Sequence, residues 1–246
     1  MSLSDFGGAG NARGEPRRIA SPEPDLALWW LPLEGDDADL PASWATLSVE
    51  EAARARRFGT DALRHRYVVG RSALRRTLAQ RLGIAPASVP ILRGARGRPM
   101  LEGGGTLDFN VSHTHGIALI AHLQRPGFRV GVDIERVDRS LSHDALATKF
   151  LTQRERAAIA PLDEDARRRA FLRLWTCKEA MSKATGDGLI APFRAIGIDI
   201  ARALRVVEGE GIYAPERWTL HAVSVPAAHY ATAAIWSVHA PDDGPH

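Results

Sequence analysis

The chain has 246 residues, 45% hydrophobic and 25% charged, enough for one large core or two of roughly 100 to 120 residues each, which excludes a wholly disordered chain. No apolar run approaches the roughly 20 residues that span a bilayer, and Met1 to Pro24 lacks the apolar centre of a secretory signal, so a cytoplasmic protein is expected. Lys+Arg of 32 against Asp+Glu of 29 leaves a formal charge of +3, too small to demand nucleic acid, and the single thiol, Cys177, excludes an internal disulfide or a Cys-based zinc site.

Residues 1–22 are rich in Gly, Ser, Pro and Arg without periodicity and read as a disordered segment; 241–246 read as a flexible tail. The run Leu26 to Leu33 predicts a strand. Ser48 followed by Glu51 is a capping-box signature for a helix start. From Asp61, the residues Leu63, Tyr67, Gly70, Leu74, Leu78 and Leu82 recur at helical spacing up to Gly83, a residue suited to a helix C-terminus. Three extended segments follow, Leu107 to Ser112, Gly116 to Leu123 and Phe128 to Val137, separated by turn residues. A second helical group begins near Leu141, with a short helix starting at Thr152 and a long one over Asp163 to Thr185. Strands near Ile196 to Ile200, Trp218 to Val223 and Tyr230 to Val238 close the chain. The order strand, helices, strands occurs twice. It predicts an α+β fold of two similar subdomains, 23–125 and 126–240, each a small, mainly antiparallel sheet packed on helices.

Three constellations carry candidate chemistry. Along Phe128 to Glu135 the apolar residues alternate with Arg129, Gly131, Asp133 and Glu135, the pattern of a half-buried strand. Asp133 and Glu135 then share a face about 7 Å apart, either as a solvated polar edge or as ligands for one hard cation such as Mg²⁺. On the long helix, Leu174, Cys177, Met181 and Ala184 form one stripe and Trp175, Glu179 and Lys183 nearly the opposite one. Glu179 and Lys183 are either a surface pair or, covered by Trp175, cleft residues. In Phe109 to Gly116, Phe109 and Val111 point inward while Asn110 and Ser112 point the other way. Ser112, His113 and His115 are donors suited either to turn chemistry or to phosphate oxygens. No Gly-x-Ser-x-Gly elbow supports a serine hydrolase, and His113 with His115 lacks a third zinc ligand.

Arginines crowd the first helices (Arg54, Arg56, Arg57, Arg64, Arg66, Arg71, Arg75, Arg76), and Arg93, Arg96 and Arg98 follow in a Gly-containing loop. Such density coats a solvated helix face or grips phosphates. Only Phe58 and Tyr67 interleave it, which weakens a nucleic-acid reading.

Together, Asn110-Val111-Ser112-His113, Gly131-Val132-Asp133-Ile134-Glu135 and Trp175-Thr176-Cys177-Lys178-Glu179-Ala180-x-x-Lys183-Ala184-x-Gly186-x-Gly188-Leu189 resemble the signature blocks of the 4'-phosphopantetheinyl transferases of the Sfp-like, pseudo-dimeric class. The resemblance spans roughly residues 50 to 200 and extends more loosely to Gly97-Arg98-Pro99. It implies transfer of 4'-phosphopantetheine from coenzyme A to a serine of an apo acyl or peptidyl carrier protein, with adenosine 3',5'-bisphosphate released. It also implies a monomer of two α+β halves with coenzyme A in the cleft between them. By the same resemblance Asp133, Glu135 and Glu179 hold Mg²⁺, Lys183 and His113 supply positive charge, and Ser112, Arg54, Arg66 and Arg98 contact the nucleotide phosphates. Glu179 or a water on the metal takes the serine proton, with Glu155 a further candidate. Glu51 stands where related proteins often carry a basic residue. The alternatives are a non-catalytic coenzyme A or nucleotide-binding relative, which intact Asp133, Glu179 and Lys183 disfavour, and a basic nucleic-acid-binding module.

Overall fold

The computed structural model describes residues 15–34, 40–94, 96–138 and 143–239. In chain order the elements are β1 (Arg17–Ile19), β2 (Leu26–Pro32), α1 (Leu40–Ala45), α2 (Val49–Arg56), α3 (Asp61–Leu82), β3 (Ile91–Arg93), β4 (Pro99–Leu101), β5 (Leu107–Thr114), β6 (Ile117–Gln124) and β7 (Phe128–Arg136). They continue with α4 (His143–Phe150), α5 (Gln153–Ile159), α6 (Glu164–Thr185), β8 (Gly197–Asp199), β9 (Arg205–Glu208), β10 (Trp218–Ala222) and β11 (His229–Ser237). No described helix is long and apolar enough to cross a membrane.

The strands form antiparallel sheets of order β1-β2-β6-β5 and β10-β11-β7, with the hairpins β3-β4 and β8-β9 beside them. The α+β class read from the sequence is the one observed, and period-2 alternation explains how its layers stack. Leu26 and Leu28 of β2, Leu119, Ala121 and Leu123 of β6, Val130, Val132 and Ile134 of β7, and Ala231, Ala233 and Ile235 of β11 share one apolar cluster between the two sheets. The opposite face of the first sheet, with Leu31, Ala118 and Ile120, packs on Val69, Ala73, Leu74 and Leu78 of α3. The opposite face of the second, with Leu220, Ala234 and Trp236, packs on Leu174, Cys177, Met181 and Ala184 of α6. The layers therefore run helix, sheet, sheet, helix, and both halves contribute to the middle core.

The helix ends follow their local chemistry. Ser48 Oγ accepts from the Glu51 amide at 3.3 Å while Glu51 Oε2 accepts from the Ser48 amide at 3.1 Å, completing the capping box of α2. Glu51 is also buried against Arg71 Nε at 3.0 Å and against Arg75, whose guanidinium donates to the carbonyls of Pro86 at 2.7 Å and of Ala87 and Val89 at 3.1 Å. An acid at position 51 thus fastens α2 to α3. Gly83 and Gly186 end α3 and α6 in the left-handed region, with φ of 68° and 85°.

Several expectations are corrected. Arg17 to Ile19 pair with Leu28 to Trp30, and Ile19 is buried in the middle core, so the last part of the 1–22 segment is ordered strand; residues 1–14, the helix start near Leu141 and the tail 241–246 lie outside the described residues. Leu63 and Leu82, read with the core stripe of α3, are exposed. The strand β7 is not half-buried: α6 covers its polar face, leaving Asp133 4% and Glu135 8% exposed. Strands β1, β3, β4 and β9 are too short, at three or four residues, to carry a legible period.

The close approach of α6 to β7 depends on Gly131. A Cβ there would stand 1.9 Å from the Ala180 carbonyl oxygen and 2.6 Å from the Ala184 nitrogen. We expect Gly131→Ala to cost about 2–3 kcal/mol in urea unfolding; an unchanged midpoint would mean that α6 does not press on the strand here. A second prediction concerns His122, which is buried on β6 with its ring 4.6 Å from that of Trp29 and Nε2 3.3 Å from Thr77 Oγ1. Burial, reinforced by Arg81, pushes its pKa down from 6.5 to about 3. The folded state thus disfavours the imidazolium: the neutral ring's full stability is present above the unfolded value of 6.5 and is lost as pH falls toward 3. We expect a loss on the order of 4 kcal/mol over that window, and His122→Leu should flatten this limb of the pH–stability curve.

Candidate active site

The geometry of the site begins at the junction of β5 and β7, which run side by side in the same direction. Asp108, Asn110 and Ser112 alternate along β5 and all point at β7. Asp108 Oδ2 accepts from the Val130 amide at 2.8 Å, Asn110 Oδ1 accepts from the Val132 amide at 3.0 Å, and Ser112 Oγ donates to Asp133 Oδ1 at 2.9 Å. Side chains here do what a strand ladder would do, satisfying edge amides that the core would otherwise leave unpaired.

Where this seam opens, α6 delivers the helical stripe. Lys183 Nζ donates to Asp133 Oδ1 at 2.6 Å and to Ser112 Oγ at 2.8 Å. Trp175 Nε1 donates to Glu135 Oε1 at 3.4 Å, and its ring lies 4.7 Å from that of Phe150 and 5.8 Å from that of Phe193. Trp175 therefore roofs the stripe, and Glu179 and Lys183 face a cleft. Ser112, His113, Asp133, Glu135, Glu179 and Lys183 all line one cavity of about 660 Å³, together with Thr114, His115, Arg136 and Asp138.

A second hollow of about 600 Å³ adjoins it and shares His113, Thr114 and His115. Arg54, Arg66, Arg71 and Arg93 supply its charge, and Phe58, Tyr67, Leu74 and Pro99 its apolar wall. Arg54 stacks over the Tyr67 ring at 5.7 Å, and Arg66 pairs with Glu34 at the mouth. Tyr67 and Gly70, which share the spacing of the core stripe, line this hollow instead. Arg71 and Arg93 were legible only as members of the basic run; Arg71 lies four residues after Tyr67 and so on the same helix face, the one signal that could have separated it from its neighbours.

Two residues occupy other places. Arg98 lines neither cavity, and its guanidinium is bonded to Asp108 and to main-chain carbonyls. Glu155 is buried beneath α6. It accepts from the Thr152 amide at 2.8 Å, the Ile198 amide at 2.9 Å and Lys178 Nζ at 2.7 Å. Lys178 itself donates further to the carbonyls of Phe150 at 3.1 Å and Phe193 at 2.7 Å, so its three protons have three acceptors. Burial pushes the Lys178 ammonium below its ordinary range and Glu155 opposes that shift. A carboxylate held in this way is a structural anchor and not a base for a bound substrate.

The donor set suits a hard cation. Asp133 Oδ2 is buried with no hydrogen-bond partner among the described residues, and the carboxylates of Asp133, Glu135 and Glu179 face the same cavity. Among the described residues no three ligating side chains already converge on one point. Mg²⁺ does not require that, since it commonly takes one or two carboxylates and completes its shell with phosphate and water oxygens.

The family model of the 4'-phosphopantetheinyl transferase superfamily matches residues 129–235, and that of the 4'-phosphopantetheinyl transferase N-terminal region matches residues 30–124. The 4'-phosphopantetheinyl transferase HetI of Nostoc sp. is 35% identical over 212 residues, covering 84% of this chain and 85% of the relative. A protein of Synechocystis sp. named as a putative 4'-phosphopantetheinyl transferase is 33% identical over 168 residues, 68% of this chain and 67% of its own. The 4'-phosphopantetheinyl transferase Sfp of Bacillus subtilis is 24% identical over 152 residues, 62% of this chain and 66% of its own. With that coverage and the site just described, the chain belongs to the 4'-phosphopantetheinyl transferase superfamily, in its Sfp-like class.

His113 stands at the boundary of the two cavities. Its ring edge is exposed, yet desolvation by the surrounding protein and the Lys183 ammonium hold its pKa below 6.5, with Asp133 acting in the opposite direction. At neutral pH it is therefore an uncharged donor. In an NMR titration of the metal-free protein the His113 midpoint should lie below 6.5 and rise in Lys183→Met, because a cation is removed and Asp133 loses its counter-charge; a midpoint unmoved by that change would separate His113 from Lys183 electrostatically.

Proposed function

We propose that this enzyme moves the 4'-phosphopantetheine arm of coenzyme A onto a serine hydroxyl of an apo acyl or peptidyl carrier protein and releases adenosine 3',5'-bisphosphate. The observation that carries the reading is the adjacency of the two cavities. One is rich in carboxylates and Lys183, the other is walled by aromatic and aliphatic groups and arginines, and His113 belongs to both. A nucleotide with phosphates at two ends needs such a pair: a basic hollow for the nucleotide and a reaction cavity for the pyrophosphate.

In this reading Arg54 and Arg66, joined by Arg71 and Arg93, take the nucleotide phosphates as guanidinium forks. Arg66 exchanges Glu34 for phosphate as the nucleotide enters. Ser112 and His113 donate to phosphate oxygens at the junction. Lys183 holds the pyrophosphate oxygen on which charge builds as the serine oxygen bonds to the phosphorus next to pantetheine and the bond to the departing nucleotide phosphate breaks. Asp133, Glu135 and Glu179 would hold Mg²⁺. That ion supplies charge neutralisation at the pyrophosphate. The serine proton passes to the Glu179 carboxylate, the acid of this set on the same helix face as Lys183. Trp175 keeps Glu135 oriented and screens the stripe from bulk water. Enclosing both cavities within one chain fits a monomer.

The test is intact mass spectrometry of an apo carrier protein incubated with this enzyme, coenzyme A and Mg²⁺, beside a chelator control and a carrier whose serine is replaced. A phosphopantetheine mass gain that requires both the metal and the serine is expected. Asp133→Asn and Glu179→Gln should each slow it by about 10²–10³-fold with circular dichroism unchanged. Retained coenzyme A binding without any mass gain on acyl and peptidyl carriers would favour the non-catalytic relative.

A further inference from the structure

Arg98 makes more contacts than any phosphate ligand could spare. Its Nε donates to the Lys183 carbonyl at 2.9 Å, its two terminal nitrogens embrace Asp108 at 3.1 and 2.6 Å, and the Val130 carbonyl accepts at 2.9 Å. The carbonyls of Pro99 at 3.3 Å and Phe109 at 3.4 Å complete the set. The side chain is 9% exposed, and Asp108 neutralises its charge. Those acceptors belong to four different elements: β4, β5, β7 and the last turn of α6.

We propose that Arg98 is a positioning residue for the transfer reaction: its fork fixes the register of β4, β5, β7 and α6 and thereby sets Lys183 against Asp133. The inference rests on the phosphopantetheinyl transfer proposed above. The physical chain is short. Carbonyls in the last turn of a helix lack an intrahelical partner and attract a cation, and Arg98 takes that of Lys183. The same guanidinium holds Asp108, whose Oδ2 also receives the Val130 amide, so one group clamps the closed end of the seam from both strands. At the open end the Lys183 side chain bridges Ser112 and Asp133. Main chain and side chain of Lys183 are therefore tied to the two ends of one seam, and any slip at Arg98 displaces the ammonium from the reaction cavity. A bidentate fork is required; a single lysine ammonium cannot span Asp108 and the Lys183 carbonyl together.

The experiment uses Arg98→Met, Arg98→Lys and Asp108→Asn, with kcat and KM measured for coenzyme A and for 3'-dephospho-coenzyme A, and with amide hydrogen exchange of Val130 followed in the free enzyme. Positioning predicts that all three variants lose about ten- to a hundredfold in kcat, as misplacement of a catalytic group does. It also predicts KM within about twofold of wild type, equal losses on both substrates, and faster Val130 exchange. A rise in KM confined to coenzyme A in Arg98→Met would overturn the proposal and make Arg98 a contact of the 3'-phosphate. A lower KM for coenzyme A in Asp108→Asn, where the guanidinium is freed for phosphate, would overturn it as well. If Arg98→Met does not fold, Asp108→Asn carries the same discrimination by the sign of its KM change. If the wild-type enzyme transfers nothing, the proposed function falls, while Val130 exchange still reports on the clamp: unchanged exchange in the variants refutes it.

Discussion

The seam between β5 and β7 is the contact on which the site depends. Two sheets meet there at their edges without a main-chain ladder, and Asp108, Asn110 and Ser112 supply the missing acceptors and donor at two-residue intervals. At its last rung the bridge is between two functional groups, the Ser112 hydroxyl and the Asp133 carboxylate. The structural device that joins the halves and the chemical group that faces the cavity are thus successive steps of one pattern, and a change in the first propagates to the second.

The remaining geometry follows from how α6 lies on β7. Gly131 removes the side chain that would hold the helix off, so the next two polar residues on that strand face, Asp133 and Glu135, are brought under Lys183 and Trp175. A strand face that carries two acids would normally look to water. Here the helix covers it, and the cost of burying carboxylates is offset by Lys183, by the Trp175 N–H and by Ser112. Among the described residues Asp133 Oδ2 has no hydrogen-bond partner.

Charged groups divide in the same way throughout the chain. Glu51 with Arg75 and Glu155 with Lys178 are buried, Asp108 with Arg98 is half-buried, and each pair ties separate elements together. Arg54, Arg66, Arg71 and Arg93 instead line an open hollow whose other wall is aromatic and aliphatic. Residue type does not distinguish these two groups. Nor does a neighbouring acid by itself, since Arg66 pairs with Glu34 and Arg71 with Glu51; what differs is that Arg75 and Arg98 also spend their guanidinium on main-chain carbonyls, whereas the other four reach the hollow.

Much of this was legible in the sequence. Periodicity set the long helices to within a residue at α3 and α6, cap residues set their ends, and alternation gave β5 and β7 their faces, because each of these signals is local and repeats along the chain. The opposition of Trp175, Glu179 and Lys183 to the apolar stripe of α6 was likewise fixed by helix geometry alone. The three- and four-residue strands were silent, since a pattern needs more repeats than they contain. What the sequence could not decide was partnership across long separations: that β7 is covered on both faces, that Glu155 belongs to Lys178, and that Arg98 clamps a seam while Arg71 and Arg93 face a cavity. Those outcomes depend on which surfaces meet when the two sheets close on one core, and no local propensity encodes that meeting.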